Sequence, residues 1–169
     1  PLERGTPGYS PAVIHTEVVR GSRLRLTVLP KGFGCENKSQ LAMFSPTAER
    51  KQIKDFIIEA VRTAGPDACP PYVVGVGIGG TADYACLLAK KALLRPIDRR
   101  LRQATHGLQR KLESELLASI NSLNIGPMGL GGKTTCLAVH VETYATHIAG
   151  LPVAVNLSCH ALRSATVLL

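Results

Sequence analysis

The feature that most constrains this chain is a short apolar run that passes through a glycine-rich turn into an amphipathic helix. Residues 72–76 are apolar, residues 77–80 contain three glycines, and Thr81 then offers a side chain suited to a helix N-cap. The helix is predicted to run to about Leu94, with lysines near its end, where positive charge complements the helix dipole. A strand, a tight turn and a helix in this order are typical of α/β proteins.

Hydrophobic periodicity predicts two further helices. Ser45 and Pro46 read as an N-cap followed by proline at the first helical position, and apolar residues then recur at helical spacing. Gly65 and Pro66 are expected to end this helix. A second helix is predicted over residues 108–123, where Leu and Ile side chains line one face.

Stretches rich in Val, Ile, Leu and Thr predict the strands of a sheet. These stretches cover residues 12–19, 23–29, 134–141 and 151–157. In the second stretch apolar and polar residues alternate, as in a half-buried strand, and Gly21-Ser22 before it suits a hairpin with the first. The sequence therefore predicts an α/β fold over residues 1–169, with a mixed sheet and flanking helices in a single domain.

The composition of the chain excludes several classes of protein. Hydrophobic residues make up 45% and charged residues 19%, so the chain can bury a core and is not disordered as a whole. No apolar stretch reaches the roughly 18 residues of a membrane helix, so no membrane association is expected. The net charge of +8 is compatible with nucleic acid, an acidic partner or an anionic substrate. Basic side chains crowd residues 95–111 without interleaved aromatics, which favours a solvated or subunit-facing surface over nucleic-acid binding.

The five cysteines form an odd set without a CxxC pair, and the first residues have no apolar signal core. We therefore expect a reducing, cytoplasmic compartment, and neither a disulfide framework nor a zinc ribbon. Cys69 precedes one predicted strand and Cys159 follows another, so each occupies a strand–loop junction where a thiolate can face a cleft. On composition alone an inert buried thiol is the commoner role. Cys35 lies in a glycine-bearing loop, at a position that could be exposed, with no ligand set beside it.

Gly75, Gly77 and Gly80 match the G-x-G-x-x-G pattern of dinucleotide-binding turns. The acid expected about 20 residues further on, which would hold the ribose, is not convincingly present, since Asp98 stands inside the basic run. A tight turn with close packing is therefore favoured. A non-catalytic module that binds a nucleotide with the loop from Gly75 to Gly80 stays open as an alternative.

Several longer segments, taken together, resemble one family. They are PAVIH at 11–15, PKGFGCENKS at 30–39, CPPYVVGVGIGG at 69–80, LLAKKALLR at 87–95, NIGPMGLGGKTT at 124–135 and the stretch at 151–163. In this order, and over nearly the whole chain, they resemble the iron–sulfur-dependent class I fumarases and the α subunit of L(+)-tartrate dehydratase. The match is far more specific than any single glycine motif.

The resemblance implies a hydro-lyase component that adds water to, or removes it from, the double bond of a C4 dicarboxylate such as fumarate or malate, with L-tartrate as the alternative substrate. In that family three cysteines hold a [4Fe–4S] cluster, and two of their motifs correspond to Cys69 and Cys159. The third belongs to a motif further upstream, so the chain is expected to lack the family's N-terminal segment. The iron without a protein ligand acts as a Lewis acid toward the substrate.

The resemblance also implies substrate contacts and a partner. Carboxylate binding is expected from Arg4 and Lys31 and from the backbone of Gly32 and Gly34, where glycine lets the main chain approach a ligand. The catalytic base is expected in a β-type domain or subunit, so the chain would form an oligomer and supply half of an active site. The altered stretch at residues 5–10 leaves open an inactive homologue that serves as an assembly partner.

Overall fold

A computed structural model describes residues 12–97 and 107–169 of the chain, and these belong to two units. The smaller unit contains the described part of Pro1–Thr27 together with Thr166–Leu169, and the larger unit contains the described part of Val28–Ala165. In chain order the elements are β1 (Arg25–Val28), α1 (Phe33–Glu36), β2 (Gln40–Phe44), α2 (Arg50–Ala64), β3 (Tyr72–Ile78), α3 (Ala82–Ala92), α4 (Gly107–Asn121), a 3₁₀ turn (Pro127–Gly129), β4 (Cys136–Thr143), β5 (Leu151–Ser158) and β6 (Ala165–Leu168). None of the helices in the described ranges combines the length and the apolar composition needed to cross a bilayer.

The smaller unit is centred on the pairing of β1 with β6. The backbones of Leu24 and Leu169 exchange two hydrogen bonds, of 2.9 and 2.8 Å. The predicted hairpin through Gly21-Ser22 is wrong, because residues 12–19 form no strand and the partner of β1 comes from the other end of the chain. Alternation of side chains identifies a strand but does not identify the strand that satisfies its backbone groups.

The larger unit is built on a four-stranded sheet with the order β2-β5-β3-β4. β3 runs parallel to β4 and antiparallel to β5, and β2 is antiparallel to β5. Along β3, Val74 and Val76 face the core that includes residues of α2 and α4, whereas Val73 packs with Leu93 on the opposite face. Helices therefore flank both faces of a mixed sheet, and the predicted α/β class is confirmed.

Two glycines of β3 let α3 lie directly on the sheet. A Cβ atom on Gly77 would lie 2.0 Å from the carbonyl oxygen of Ala85, and one on Gly75 would lie 2.1 Å from that of Ala89. Both distances are far below van der Waals contact, so a larger residue at either position requires the helix to move. Gly75 and Gly77 therefore allow the close helix–sheet packing that the sequence analysis favoured for this motif. Asp98, the acid considered for a ribose contact, lies outside the described residues.

Helix α2 begins at Arg50 and not at Pro46 as predicted. Its N-cap is Glu49, whose backbone N–H donates to the side-chain oxygen of Gln52 over 2.9 Å in a reciprocal capping box. The box satisfies the backbone N–H groups of Glu49 and Gln52, so the helix starts at the box and not at the upstream serine. The C-terminal boundary just before Gly65 agrees with the prediction.

A buried ion pair holds α4 against β4. Glu113, which is 4% exposed, accepts hydrogen bonds from Arg95 over 2.6 Å and from the backbone N–H of Val141 over 2.9 Å. Arg95 is the first cation of the basic run, and it stabilises the fold instead of lining a surface. Residues 98–106, which carry most of the arginines of that run, lie outside the described residues.

Candidate active site

The topology of the larger sheet brings the start of β3 and the end of β5 to the same edge. The two strands are antiparallel, with Val73 paired with Ser158. Cys69 lies just before β3 and Cys159 just after β5, so both belong to loops at that edge. The ring Nδ1 of His160 lies 3.3 Å from the carbonyl oxygen of Cys69 and joins the two loops directly. The structure thus places the two predicted cluster cysteines on neighbouring loops.

Cys69 has an unusual backbone conformation. Its φ of +57° lies in the left-handed region, which costs a residue with a Cβ atom roughly 1–2 kcal/mol. Hydrogen bonds hold the loop on both sides: the N–H of Cys69 donates to Pro66 over 3.2 Å, and the N–H of Met128 donates to Pro70 over 2.9 Å. The thiol-bearing residue is exposed. Strain retained at an exposed cysteine is a recurrent property of functional sites.

Cys159 is half-buried and packs against the core, and Cys35 lies beside it. The Cys35 thiol donates a hydrogen bond to the carbonyl oxygen of Ala68 over 3.2 Å. Burial raises the pKa of Cys35, and the neighbouring Cys159 thiol raises it further, although Lys31 acts in the opposite direction. The expectation that Cys35 could be exposed is wrong: it is 4% exposed, because α1 turns its side chain inward.

A charged cluster lies next to this thiol pair. The ammonium of Lys31 lies 2.8 Å from one carboxylate oxygen of Glu36, and that of Lys90 lies 2.6 Å from the other. Asn156 of β5 donates to Ser39 over 2.8 Å and to Glu36 over 3.4 Å. Burial acts to raise the pKa of Glu36, but the two lysines outweigh it and lower the pKa to about 2. The carboxylate is therefore ionised at neutral pH and fixed in position.

Replacing Lys31 with Met is expected to raise the pKa of Glu36 from about 2 toward its ordinary value of 4.5. Because the pKa is lower in the folded protein than in the unfolded chain, Glu36 stabilises the fold fully above the unfolded pKa, and this contribution is lost as the pH falls toward the folded pKa. The variant should therefore lose less stability than the parent on acidification. An NMR titration of the Glu36 carboxyl carbon, with unfolding free energies measured across the same pH range, tests this.

Lys51→Met is the matched control, because Lys51 pairs with Asp55 on an exposed helix surface. It should leave the Glu36 titration unchanged. An unchanged Glu36 pKa in Lys31→Met as well would contradict the assigned cause.

The predicted carboxylate-binding residues are placed as follows. Arg4 lies outside the described residues. The side chain of Lys31 is 9% exposed and is paired with Glu36, so its predicted contact with substrate stays a prediction. A Cβ atom on Gly32 would meet nothing within 4 Å, and one on Gly34 would meet only the backbone oxygen of Asp67, at 4.0 Å. The backbone of this turn therefore borders open space, which leaves room for a small ligand.

The described residues do not form a complete metal site. No group of three or more His, Cys, Asp or Glu side chains within residues 12–97 and 107–169 could hold a metal ion. Cys69 and Cys159 are nevertheless soft sulfur donors on adjoining loops, and neither is sealed in the core as Cys136 is. Burial raises the pKa of Cys136 to about 12. The donor chemistry thus fits two ligands of an iron–sulfur cluster, with further donors needed from elsewhere.

Sequence reasoning did not connect the polar residues that join the elements around the two cysteines, although it considered His160 by itself as a histidine that could be structural or functional. Glu36, Lys90, Asn156 and His160 come from four different segments, so no local pattern connects them. The one available signal was their position inside the segments that resemble the family.

Comparison with known proteins identifies the family of the chain. The family model described as fumarate hydratase (fumerase) matches residues 2–168. A protein of Methanocaldococcus jannaschii named "Putative L(+)-tartrate dehydratase subunit alpha" is 49% identical over 142 residues, which are 84% of this chain and 49% of that protein. The "L(+)-tartrate dehydratase subunit alpha" of Escherichia coli O157:H7 is 34% identical over 165 residues, which are 98% of this chain and 54% of that protein. The chain spans about half the length of these curated relatives. Its match to the family model over almost every residue shows that the chain belongs to the fumarate hydratase family.

Proposed function

We propose that the chain is the cluster-binding part of an iron–sulfur hydro-lyase that interconverts fumarate and malate. The observation that carries this proposal is the contact between His160 and the backbone of Cys69, which joins the two cysteine-bearing loops at one edge of the sheet. Membership of the fumarate hydratase family supports the reaction class. The incomplete ligand set is consistent with a chain that spans about half of its relatives' length.

In this proposal Cys69 and Cys159 would hold two irons of a [4Fe–4S] cluster, and the third thiolate would come from outside residues 1–169. When bound, the cluster supplies an iron with an open position that acts as a Lewis acid toward the substrate's carboxylate and hydroxyl. Gly32 and Gly34 offer backbone next to open space for a carboxylate. Glu36 fixes the ammonium of Lys31 beside this turn.

The proposal includes a partner. The two relatives above are named as α subunits, and a β-type domain or subunit is expected to contribute the base that takes the carbon-bound proton. The activity therefore belongs to the assembled protein. An oligomer in which this chain supplies one side of the site follows from the same reasoning.

Dehydration of L-tartrate is the second candidate function. It is favoured by the names of the two relatives, both of which are described as tartrate dehydratase α subunits. The nucleotide-binding alternative gains no support, because α3 covers two of the three glycines of the motif.

The test is an anaerobic assay of the chain assembled with the upstream segment that carries the third cysteine and with a β-type partner. The iron- and sulfide-reconstituted assembly should convert L-malate to fumarate, followed by the ultraviolet absorbance of fumarate. Formation of oxaloacetate from L-tartrate, with no turnover of malate, would select the second candidate. No turnover of either acid by an assembly that holds its full iron content would overturn both.

A further inference from the structure

The ring of His160 reaches from the loop of Cys159 to the backbone of Cys69, and the proposed function gives the ring itself no task. We propose that His160 is a positioning residue: its Nδ1–H holds the carbonyl group of Cys69, so that the two thiolates are fixed relative to each other for the cluster. The role is that of a group outside the ligand set that orients a ligand.

The direction of this hydrogen bond is set by its acceptor. A carbonyl oxygen only accepts, so the ring nitrogen that lies 3.3 Å from the oxygen of Cys69 is the donor. The neutral ring of His160 therefore carries its proton on Nδ1, and its Nε2 is unprotonated. His160 is exposed, so replacing its side chain should cost the core little.

The backbone of Cys69 needs to be held, because its φ of +57° is strained. A conformation of this kind persists only where the surroundings fix it. The N–H of Cys69 donates to the carbonyl oxygen of Pro66 over 3.2 Å, within the same loop. The carbonyl of Cys69 accepts from His160, which belongs to the loop of the other cysteine. Both backbone polar groups of the strained residue are thus bonded, and the second bond connects the loops.

A tight turn holds His160 in place for this contact. The N–H of Leu162 donates to the carbonyl oxygen of Cys159 over 3.1 Å, which closes a four-residue turn with His160 at its second position. Cys159 directly follows β5, and β5 is paired with β3, which Cys69 precedes. The ring is therefore anchored to the same sheet as the loop that it holds.

Loss of this bond should weaken the hold on the cluster without unfolding the chain. Groups that orient a metal ligand are worth about 10- to 100-fold in metal affinity, and a single exposed hydrogen bond to the backbone belongs at or below the lower end of that range. We expect His160→Ala to release iron about 3- to 10-fold faster than the parent.

The experiment measures iron release to a ferrous chelator, together with the decay of visible absorbance, from the reconstituted assembly that contains the upstream segment. His160→Asn and His160→Gln are the matched pair, because the amide nitrogen of Asn takes the place of Nδ1 and that of Gln takes the place of Nε2. His160→Asn should retain iron like the parent, and His160→Gln should release it like His160→Ala. Urea unfolding of the metal-free chains should give the same free energy for the parent and all three variants.

A second measurement requires neither iron nor a variant. In the metal-free parent chain at alkaline pH, a ¹H–¹⁵N correlation spectrum of the His160 ring should place the proton on Nδ1. A proton on Nε2 would overturn the proposal, as would equal iron release from His160→Ala and the parent, or from His160→Asn and His160→Ala. If a variant does not fold, the spectrum of the parent still decides.

The inference rests on the proposed function, because it concerns the same two cysteines, but the two can fail separately. A parent assembly that binds no iron contradicts the proposed function. A parent that binds iron, with a His160→Ala variant that releases it no faster, contradicts the role of His160 alone.

Discussion

Replacement of either Cys69 or Cys159 by Ser is expected to remove the brown colour of the reconstituted protein and to lower its bound iron by at least about tenfold. A serine hydroxyl is a hard, protonated donor at neutral pH and does not replace a thiolate on iron. Changes in residues that only orient metal ligands already cost about 10- to 100-fold in affinity, so loss of a ligand should cost more. The measurements are the visible absorbance and the iron and sulfide content after anaerobic reconstitution with the upstream segment present.

Cys86→Ser is the control, because Cys86 lies on the exposed side of α3 and outside both loops. It should reconstitute like the parent. Retention of colour and iron in both ligand variants would reject the assignment of these two cysteines, even if the assembly proved to be a hydro-lyase.

Gly77→Ala is expected to lower the free energy of unfolding by about 3 kcal/mol or more, a large effect for the addition of one methyl group. The new Cβ would lie 2.0 Å from the carbonyl oxygen of Ala85, 2.7 Å from the backbone nitrogen of Ala89 and 2.8 Å from the Cβ of Leu88. Two of these atoms belong to the backbone of α3, so the helix must lift from the sheet as a body. Urea unfolding followed by circular dichroism measures the loss.

Gly107→Ala is the matched control for that change. A Cβ at Gly107 meets nothing within 4 Å, and the residue is the first of α4. Alanine there should leave stability unchanged or raise it by up to about 1 kcal/mol, since alanine loses less backbone freedom in a helix. Equal stabilities of the two variants would contradict the close packing of α3 on β3 at Gly77.

Local sequence signals predicted much of the larger sheet's framework. The apolar run at residue 72, the glycine turn and Thr81 predicted β3 and the start of α3, and Thr81 is the N-cap. Periodicity predicted α4 to within two residues at each end. These elements are set by interactions between residues close in sequence, which composition and spacing record.

The sequence analysis failed where the outcome depends on distant partners. The strands β2 and β6 were missed, because each is short and is defined by pairing with a strand more than a hundred residues away. The placement of Cys35 was also missed, since its burial depends on the packing of α1 against β5. The ligand roles proposed for Cys69 and Cys159 came from the resemblance, because spacing alone favoured inert thiols.

The antiparallel pairing of β3 with β5 also determines when the two cysteine-bearing loops can meet during synthesis of the chain. Cys69 is synthesised before Cys159, which follows the last strand of the larger sheet, so the two loops meet only after β5 has left the ribosome and docked beside β3. Long-range contacts of this kind form late, because closing the intervening chain costs entropy before any contact repays it. If the two thiols bind a metal as proposed, a donor that delivers it to both must recognise the finished sheet and not the nascent chain.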